Sequence, residues 1–137
     1  LDAQLLQHAD YAVIKPRLAA IECDLGEAFW LAVRGNLAKF DDVALWARVV
    51  QGPIEPQIDE PDFIATAAGL LPAGPYDETS WSGFTEAVKA ATGAKGKGLF
   101  MPLRKALTGQ EHGPEMKLIF MLIGPERAAS RLAGKVS

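Results

Sequence analysis

The sequence KGKGLFMPLRKALTG occupies residues 95–109, and its pattern decides the fold. Leu99, Leu103 and Leu107 recur every four residues, which is the spacing of one buried face of an α-helix. Gly109 follows the last leucine and favours the end of the helix, because glycine readily adopts a left-handed backbone conformation. The stretch therefore predicts a helix that begins after a loop rich in glycine and lysine.

Apolar residues keep the same helical spacing on both sides of this stretch, and no alternation typical of a strand is present. Further helices are predicted over residues 5–21, 26–39, 41–51, 62–71, 79–92, 114–123 and 126–133. The expected N-caps of two of them are Asp41 or Asp42 and Thr79 or Ser80. Each of the three tryptophans falls on an apolar face and is predicted to lie in the core, namely Trp30, Trp46 and Trp81.

Prolines and glycines divide the chain. Pro16 predicts a break or a new start in the first helical segment, because a proline inside a helix removes a hydrogen bond. Pro102 is expected in the first turn of its helix, where a missing N–H is tolerated. The run PAGP at residues 72–75 is the strongest turn signal. We therefore predict an all-α protein with two small multihelical subdomains, residues 1–74 and 75–137.

Charge is distributed unevenly along the chain, although the net charge is only −3. Residues 1–88 contain 5 lysines and arginines against 14 aspartates and glutamates, whereas residues 89–137 contain 9 against 3. A basic segment of this kind can neutralise phosphates while the acidic part stays away from them. The stretch from Lys95 to Arg131 is therefore the predicted working end, with RNA as its predicted partner.

The sequence does not have the spacing of a catalytic or metal centre. Gly93, Gly96 and Gly98 do not match the glycine spacing of a phosphate-binding P-loop. His112 has no second histidine at helical spacing and is interpreted as a solvated loop residue. Cys23 has no neighbouring base in sequence and is expected to be a small packed side chain. We predict no catalytic residue and no metal ligand.

Several features favour a cytoplasmic protein. A single cysteine excludes an internal disulfide framework. No apolar run approaches the length of a bilayer-spanning helix, and the first residues lack the pattern of a signal peptide. No membrane partner is therefore predicted.

The stretch 95–109, followed by EHGPE at residues 111–115, closely resembles the C-terminal anticodon-binding region of bacterial glutamate–tRNA ligases. The family pattern reads approximately K-G-K-x-L-F-x-P-L-R-x-A-L-T-G-x-x-x-G-P, followed by an apolar helix, a glycine and a last helix ending near Arg-Leu. Here these last features match residues 118–124 and Arg131-Leu132. The resemblance implies the all-helical fold of the anticodon-binding region of a class I aminoacyl-tRNA synthetase.

The resemblance also implies which residues contact RNA. Arg104 occupies the arginine of the P-L-R motif and is the first candidate for contact with the anticodon. The other residues implied at the anticodon are Thr108, Gly109, Gly113, Pro114 and Met116. The residues implied at phosphates are Lys95, Lys97 and Lys105. Arg127 and Arg131 are interpreted as surface charges on a closing helix.

For the parent enzyme, the resemblance implies ATP-dependent ligation of glutamate to tRNA, with Mg²⁺ and a catalytic domain upstream in cis. The two ATP-site signatures of the family, H-I-G-H-like and K-M-S-K-S-like, are absent from this sequence, so no cofactor is expected in this piece. The implied partner is tRNA(Glu), and tRNA(Gln) in organisms that amidate it later; a monomer is expected. The alternative is a helical protein-interaction or regulatory module that uses the acidic face of residues 1–88.

Overall fold

The structure is a computed structural model that describes residues 3–137, in which every regular element is a helix and no strand is present. The helices are α1 (Ala3–Gln7), α2 (Tyr11–Ala20), α3 (Glu27–Val33), α4 (Val43–Gln51), α5 (Pro61–Ala68), α6 (Ser80–Thr92), α7 (Lys97–Thr108) and α8 (Met116–Leu132). Two short 3-10 turns, Arg34–Asn36 and Phe40–Asp42, connect α3 to α4. The predicted all-α class is confirmed. Within the described residues, no helix combines the length and apolar character needed to cross a membrane.

The helix predicted from the leucine spacing is α7. Leu99, Leu103 and Leu107 are all at most 2% exposed. Gly109 ends α7 with φ 71°, and Gly93 ends α6 with φ 75°, so both glycines adopt the left-handed conformation expected at a helix C-terminus. The spacing and its stop signal were sufficient to place this helix.

Two predictions about prolines are wrong. Pro16 lies inside α2, and the chain breaks at residues 8–10 instead; Pro102 is the sixth residue of α7, beyond its first turn. In both helices the carbonyl freed by the proline belongs to the second helical residue, Ala12 or Gly98. Both of those residues are exposed, so water can take the place of the lost donor.

Asp42 and Thr79 occupy the N-cap positions of α4 and α6, as predicted, but neither side chain makes a capping hydrogen bond to its helix. Asp42 instead accepts hydrogen bonds from the N–H groups of Ala38 and Lys39, which precede it. Thr79 makes no capping bond at the start of α6; its N–H and hydroxyl both donate to the Asp77 carboxylate. The helix expected to open at residue 114 begins at residue 116.

The first three helices contribute side chains to the hydrophobic core. Leu6, Ile14 and Leu18 are fully buried. The indole N–H of Trp30 donates to the carbonyl of Ala9 at 2.7 Å, so α3 is tied to the turn that separates α1 from α2. As predicted, Trp30 is buried, and the other two tryptophans are at most 8% exposed.

Helix α8 packs against α4, α5, α6 and α7 and forms the centre of the second half of the fold. Its Phe120 stacks on Phe84 of α6 with 5.3 Å between ring centroids and on Tyr76 with 4.6 Å. Helical geometry is interrupted at Gly124 (φ 82°, ψ 167°) before Pro125 restarts it. The predicted stop and restart at this Gly-Pro pair is confirmed.

Arg131 is the largest departure from the sequence prediction, which placed it on the surface. Its side chain is fully buried. Nη1 donates to the carbonyls of Val49 at 2.6 Å and Leu107 at 2.8 Å, and Nε donates to that of Ser137 at 3.0 Å. Burial, with a smaller contribution from Arg127, lowers the pKa of Arg131 to about 10. The interpretation of Arg131 as a surface charge is therefore wrong.

The reason lies in the helix ends that Arg131 reaches. The carbonyl of Val49 would normally bond to the N–H four residues later, but that residue is Pro53, which has none. The carbonyl of Leu107 lies in the last turn of α7, which stops at Gly109. A cation placed at two helix C-termini satisfies both carbonyls and opposes both helix dipoles. Arg131 therefore joins α4, α7 and α8.

The division at residue 74 stays a prediction. Helix α5, which precedes it, packs against α6, α7 and α8. The buried apolar side chains of both halves belong to one hydrophobic cluster.

Candidate functional site

Arg104 is held in place by the segment that follows α7. Its side chain is half-buried, and Nη2 donates to the carbonyl of Pro114 at 3.1 Å. Nη1 is buried and has no hydrogen-bond partner within the described residues. Burial lowers the pKa of the guanidinium from its usual value, although arginine remains charged at neutral pH. Arg104 is thus oriented by a backbone carbonyl rather than by a carboxylate.

An open pocket of about 310 Å³ lies beside this guanidinium. Its lining residues come from α6, α7 and the start of α8 and are Trp81, Phe100, Arg104, Glu115, Met116 and Lys117. Phe100 is 46% exposed, an unusual state for an aromatic ring on a helix whose leucines are buried. The pocket therefore combines two aromatic rings, the Met116 thioether and the Arg104 guanidinium. Glu115 and Lys117 add a carboxylate and a second cation.

Phe100 is the residue that sequence reasoning missed. It precedes Arg104 by four residues on the same helix, so the two side chains share one face. It also lies directly after Leu99 of the buried face, which places it outside the leucine stripe. These two facts were readable from the sequence and would have predicted an exposed aromatic beside the key arginine.

The loop between α7 and α8, residues 109–115, is shaped by Thr108. This side chain is 1% exposed; its hydroxyl donates to the carbonyl of Arg104 at 2.7 Å and accepts the N–H of Gln110 at 3.0 Å. Gly109 combines a left-handed backbone with a close approach to the carbonyl of Glu55, which a Cβ would meet at 3.0 Å. Both residues therefore set the course of the loop from beneath.

Trp46 of α4 supports the other end of this loop. A Cβ added to Gly113 would overlap Cη2 of the Trp46 ring and would lie 2.9 Å from Cζ3. The same Cβ would lie 3.1 Å from Nη1 of Arg104. Only glycine lets the loop backbone pass between the indole edge and the guanidinium.

Lys105 is engaged with acids rather than free. Its Nζ lies 2.6 Å from Oδ2 of Asp59 and 3.3 Å from Oε1 of Glu111. Its hydrogen bond to Asp59, followed by that to Glu111, raises the pKa of Lys105. The carbonyl of Lys105 also accepts the N–H of Gln57. Lys105 therefore links the 52–61 segment to the 109–115 loop.

Lys95 and Lys97 have a different environment. Both are exposed, and neither forms an ion pair within residues 3–137. Lys97 is the first residue of α7, whose first turn contains no acidic residue. The N-terminus is the positive end of the helix dipole and repels a cation, so this placement does not serve the stability of α7.

A family model described as an anticodon binding domain matches residues 56–135, more than half of the chain. The chain belongs to the anticodon binding domain family. Every residue lining the pocket beside Arg104 lies within the matched range of this anticodon binding domain, whereas Trp46 lies outside it.

Relatives of this anticodon binding domain confirm the resemblance stated from the motif. The chain is 63% identical over 124 residues to glutamate–tRNA ligase 1 of Parvibaculum lavamentivorans, which covers 90% of the chain and 28% of that protein. It is 50% identical over 139 residues to glutamate–tRNA ligase 2 of Methylorubrum populi, covering 100% of the chain and 31% of the relative. The chain thus spans less than a third of the relatives it matches.

A solved structure shows the same fold. The glutamate tRNA ligase from Elizabethkingia meningosepticum matches with a TM-score of 0.73 over 96% of the chain and 30% of that structure, at 19% sequence identity.

The structure brings some predicted site residues together and separates others. Arg104 and Met116 line one pocket, and Gly113 and Pro114 lie against Arg104. Met116 is 6% exposed, so only its edge reaches the pocket. The predicted phosphate contacts Lys95 and Lys97 do not line this pocket; Lys95 precedes α7 and Lys97 is its first residue. As expected, His112 is exposed and Cys23 is buried. Among the described residues, no three histidines, cysteines or acids are grouped closely enough to hold a metal.

Proposed function

We propose that this anticodon binding domain holds the anticodon stem-loop of a tRNA and reads an unpaired base at the pocket beside Arg104. The observation that carries the proposal is the pairing of exposed Phe100 with the carbonyl-oriented Arg104 around one open pocket. Aromatic rings and guanidinium planes are the surfaces on which unpaired RNA bases stack, and arginine also donates to base edges. Met116 forms part of the apolar wall of the same pocket.

The phosphates are proposed to lie at the start of α7. Lys95 and Lys97 are exposed and unpaired there, and the first N–H groups of a helix attract anions. A bound phosphate would remove the unfavourable effect of a lysine at a helix N-terminus. Lys105 contributes to phosphate binding only if RNA displaces Asp59 or Glu111 from it.

Thr108, Gly109, Gly113 and Pro114 are proposed to act on the RNA through the shape of the loop. Thr108 and Pro114 are buried, so their contribution is the placement of neighbouring backbone groups. Exposed backbone groups of an irregular loop suit single-stranded bases better than a duplex groove.

The parent protein is proposed to be a glutamate–tRNA ligase, as its relatives are named. It would ligate glutamate to tRNA(Glu), or also to tRNA(Gln), with ATP and Mg²⁺ bound by a catalytic domain upstream of this chain. A monomeric, cytoplasmic enzyme belongs to the same proposal. The alternative of a protein-interaction module without an RNA role is not favoured, because the family match covers the basic half of the chain.

Titration of the chain with a synthetic tRNA(Glu) anticodon stem-loop at two salt concentrations tests the proposal. Binding should weaken steeply with salt, because each neutralised phosphate releases counterions. Arg104→Ala should cost about 1–3 kcal/mol of binding free energy, and the loss should depend on one anticodon base. Lys97→Ala should weaken all hairpins alike and reduce the salt slope by about 1.

Lys15→Ala is the matched control, since Lys15 is an exposed lysine on α2 of the acidic half. It should leave affinity and slope unchanged. Absence of salt-dependent binding to any hairpin, or an equal loss in the control, would exclude this role.

A further inference from the structure

We propose that Trp46 is a positioning residue that sets the base specificity of the site by holding the Arg104 guanidinium through Gly113. This inference rests on the proposed function. Trp46 lies on α4, is 6% exposed and does not line the pocket. Trp46 therefore acts on base recognition through Arg104 and does not itself contact RNA.

Gly113, the Trp46 indole and the Arg104 guanidinium meet at one point. The far edge of the indole, Cη2 and Cζ3, occupies the space where a side chain at position 113 would begin. Nη1 of Arg104 borders that same space at 3.1 Å. The loop backbone at Gly113 is therefore enclosed by the indole on one side and the guanidinium on the other.

The Arg104 guanidinium is oriented by a single hydrogen bond from its side chain within the described residues. Its Nη2 donates to the carbonyl of Pro114, the residue after Gly113, and Nη1 has no partner. No carboxylate forms an ion pair with Arg104 in the part of the chain that the structure describes. The carbonyl of Pro114 is fixed only as firmly as the loop, and Trp46 packs against the neighbouring Gly113, so this packing contributes to the direction in which the guanidinium points.

The orientation of the Arg104 guanidinium affects base discrimination more than general RNA affinity. A guanidinium discriminates bases through the directions of its donors, whereas phosphate attraction depends mainly on its charge. Removing the indole edge should therefore reduce discrimination and leave general RNA affinity largely intact. A residue needed only for folding would change both together, because it would lower the folded fraction.

Trp46→Phe in the full 137-residue chain tests this, because a phenyl ring keeps an aromatic side chain but lacks the far edge of the indole. The readout is the discrimination ratio, which is the Kd of a hairpin with one anticodon base replaced divided by the Kd of the tRNA(Glu) anticodon stem-loop. We expect this ratio to fall about tenfold, within the range that a bidentate arginine contributes. The salt slope should be unchanged.

Two further variants make the result specific. Trp30→Phe is the matched control, because Trp30 is fully buried in α3 and its indole N–H donates to the carbonyl of Ala9, away from the site; it should lower stability and keep the ratio. In an Arg104→Ala background, Trp46→Phe should lower the ratio no further. If Trp46→Phe does not fold, Gly113→Ala perturbs the same contact from the loop side and should lower the ratio instead.

The inference is overturned if folded Trp46→Phe keeps the discrimination ratio, or if it loses affinity equally for every hairpin. It is also overturned if Trp46→Phe lowers the ratio as much in the Arg104→Ala background as in the unmodified chain. If the unmodified chain binds no hairpin, the proposed function fails and the inference fails with it. If the unmodified chain discriminates and Trp46→Phe discriminates equally, only the role of Trp46 is lost.

Discussion

Replacement of Arg131 by methionine should destabilise the fold more than any loss of a surface charge. Methionine keeps an unbranched apolar stem but lacks the guanidinium and its donors, so the carbonyls of Val49 and Leu107 would be left buried without partners. A buried polar group that loses its partner costs about 1–3 kcal/mol. Two such groups give about 2–6 kcal/mol.

Part of this cost is offset by the removal of a buried charge. The pKa of Arg131 is lowered to about 10, which shows that the folded interior disfavours the cation. With that offset we expect a net loss of about 2–4 kcal/mol in the free energy of unfolding, a large share of the ~5–15 kcal/mol typical of a domain. The corresponding fall in Tm is roughly 10 °C.

Urea denaturation followed by circular dichroism measures this loss, with Arg127→Met as the control. Arg127 lies one turn earlier on α8 and makes no hydrogen bond or ion pair within residues 3–137. Its replacement should change stability by less than about 0.5 kcal/mol. Equal midpoints for the two variants would refute the account of Arg131 as a donor to two helix ends.

Two further predictions concern glycines and the single thiol. Gly113→Ala should cost about 1–3 kcal/mol in the free energy of unfolding measured in urea, because the new methyl overlaps Trp46. Gly83 lies in open space on α6, so Gly83→Ala should gain about 0.5–1 kcal/mol. A gain at both positions would contradict the steric argument. Burial, with a smaller contribution from Glu22, raises the pKa of the Cys23 thiol. The stability that this shift contributes is therefore full below the unfolded thiol pKa of ~8.5 and is lost as pH rises through the higher pKa of the folded state. Alkylation of the folded chain at pH 8 should be slow and become fast in urea, and rapid labelling without urea would disprove this protection.

Much of the fold followed from local chemistry. The leucine spacing of α7 and the left-handed glycines at 93 and 109 are decided within one or two turns of helix, so a single sequence contains the information. Pro16 and Pro102 were misplaced because a local rule for proline ignores whether the freed carbonyl can reach water. The exposure of Ala12 and Gly98, which decides that question, depends on the tertiary arrangement.

The candidate site was predictable in its motif and not in its support. Arg104 was placed from the P-L-R pattern. The contact of the Trp46 indole with Gly113 and the ion pair of Lys105 with Asp59 join residues 46 or more positions apart along the chain, and no local pattern connects them. Arg131 was misread for the same reason, because the carbonyl left without a donor by Pro53 lies 82 residues away.

The support of the 109–115 loop by α4 has a consequence for protein engineering. A graft that transplants only residues 95–116 into another helical scaffold would carry the visible motif and leave behind the indole that fits beneath Gly113. Such a chimera should bind RNA through charge and choose poorly among anticodons. If Trp46 has the proposed role, exchange of specificity between anticodon binding domains requires the transfer of α4 together with the motif, or a host that already has an aromatic residue at the equivalent position.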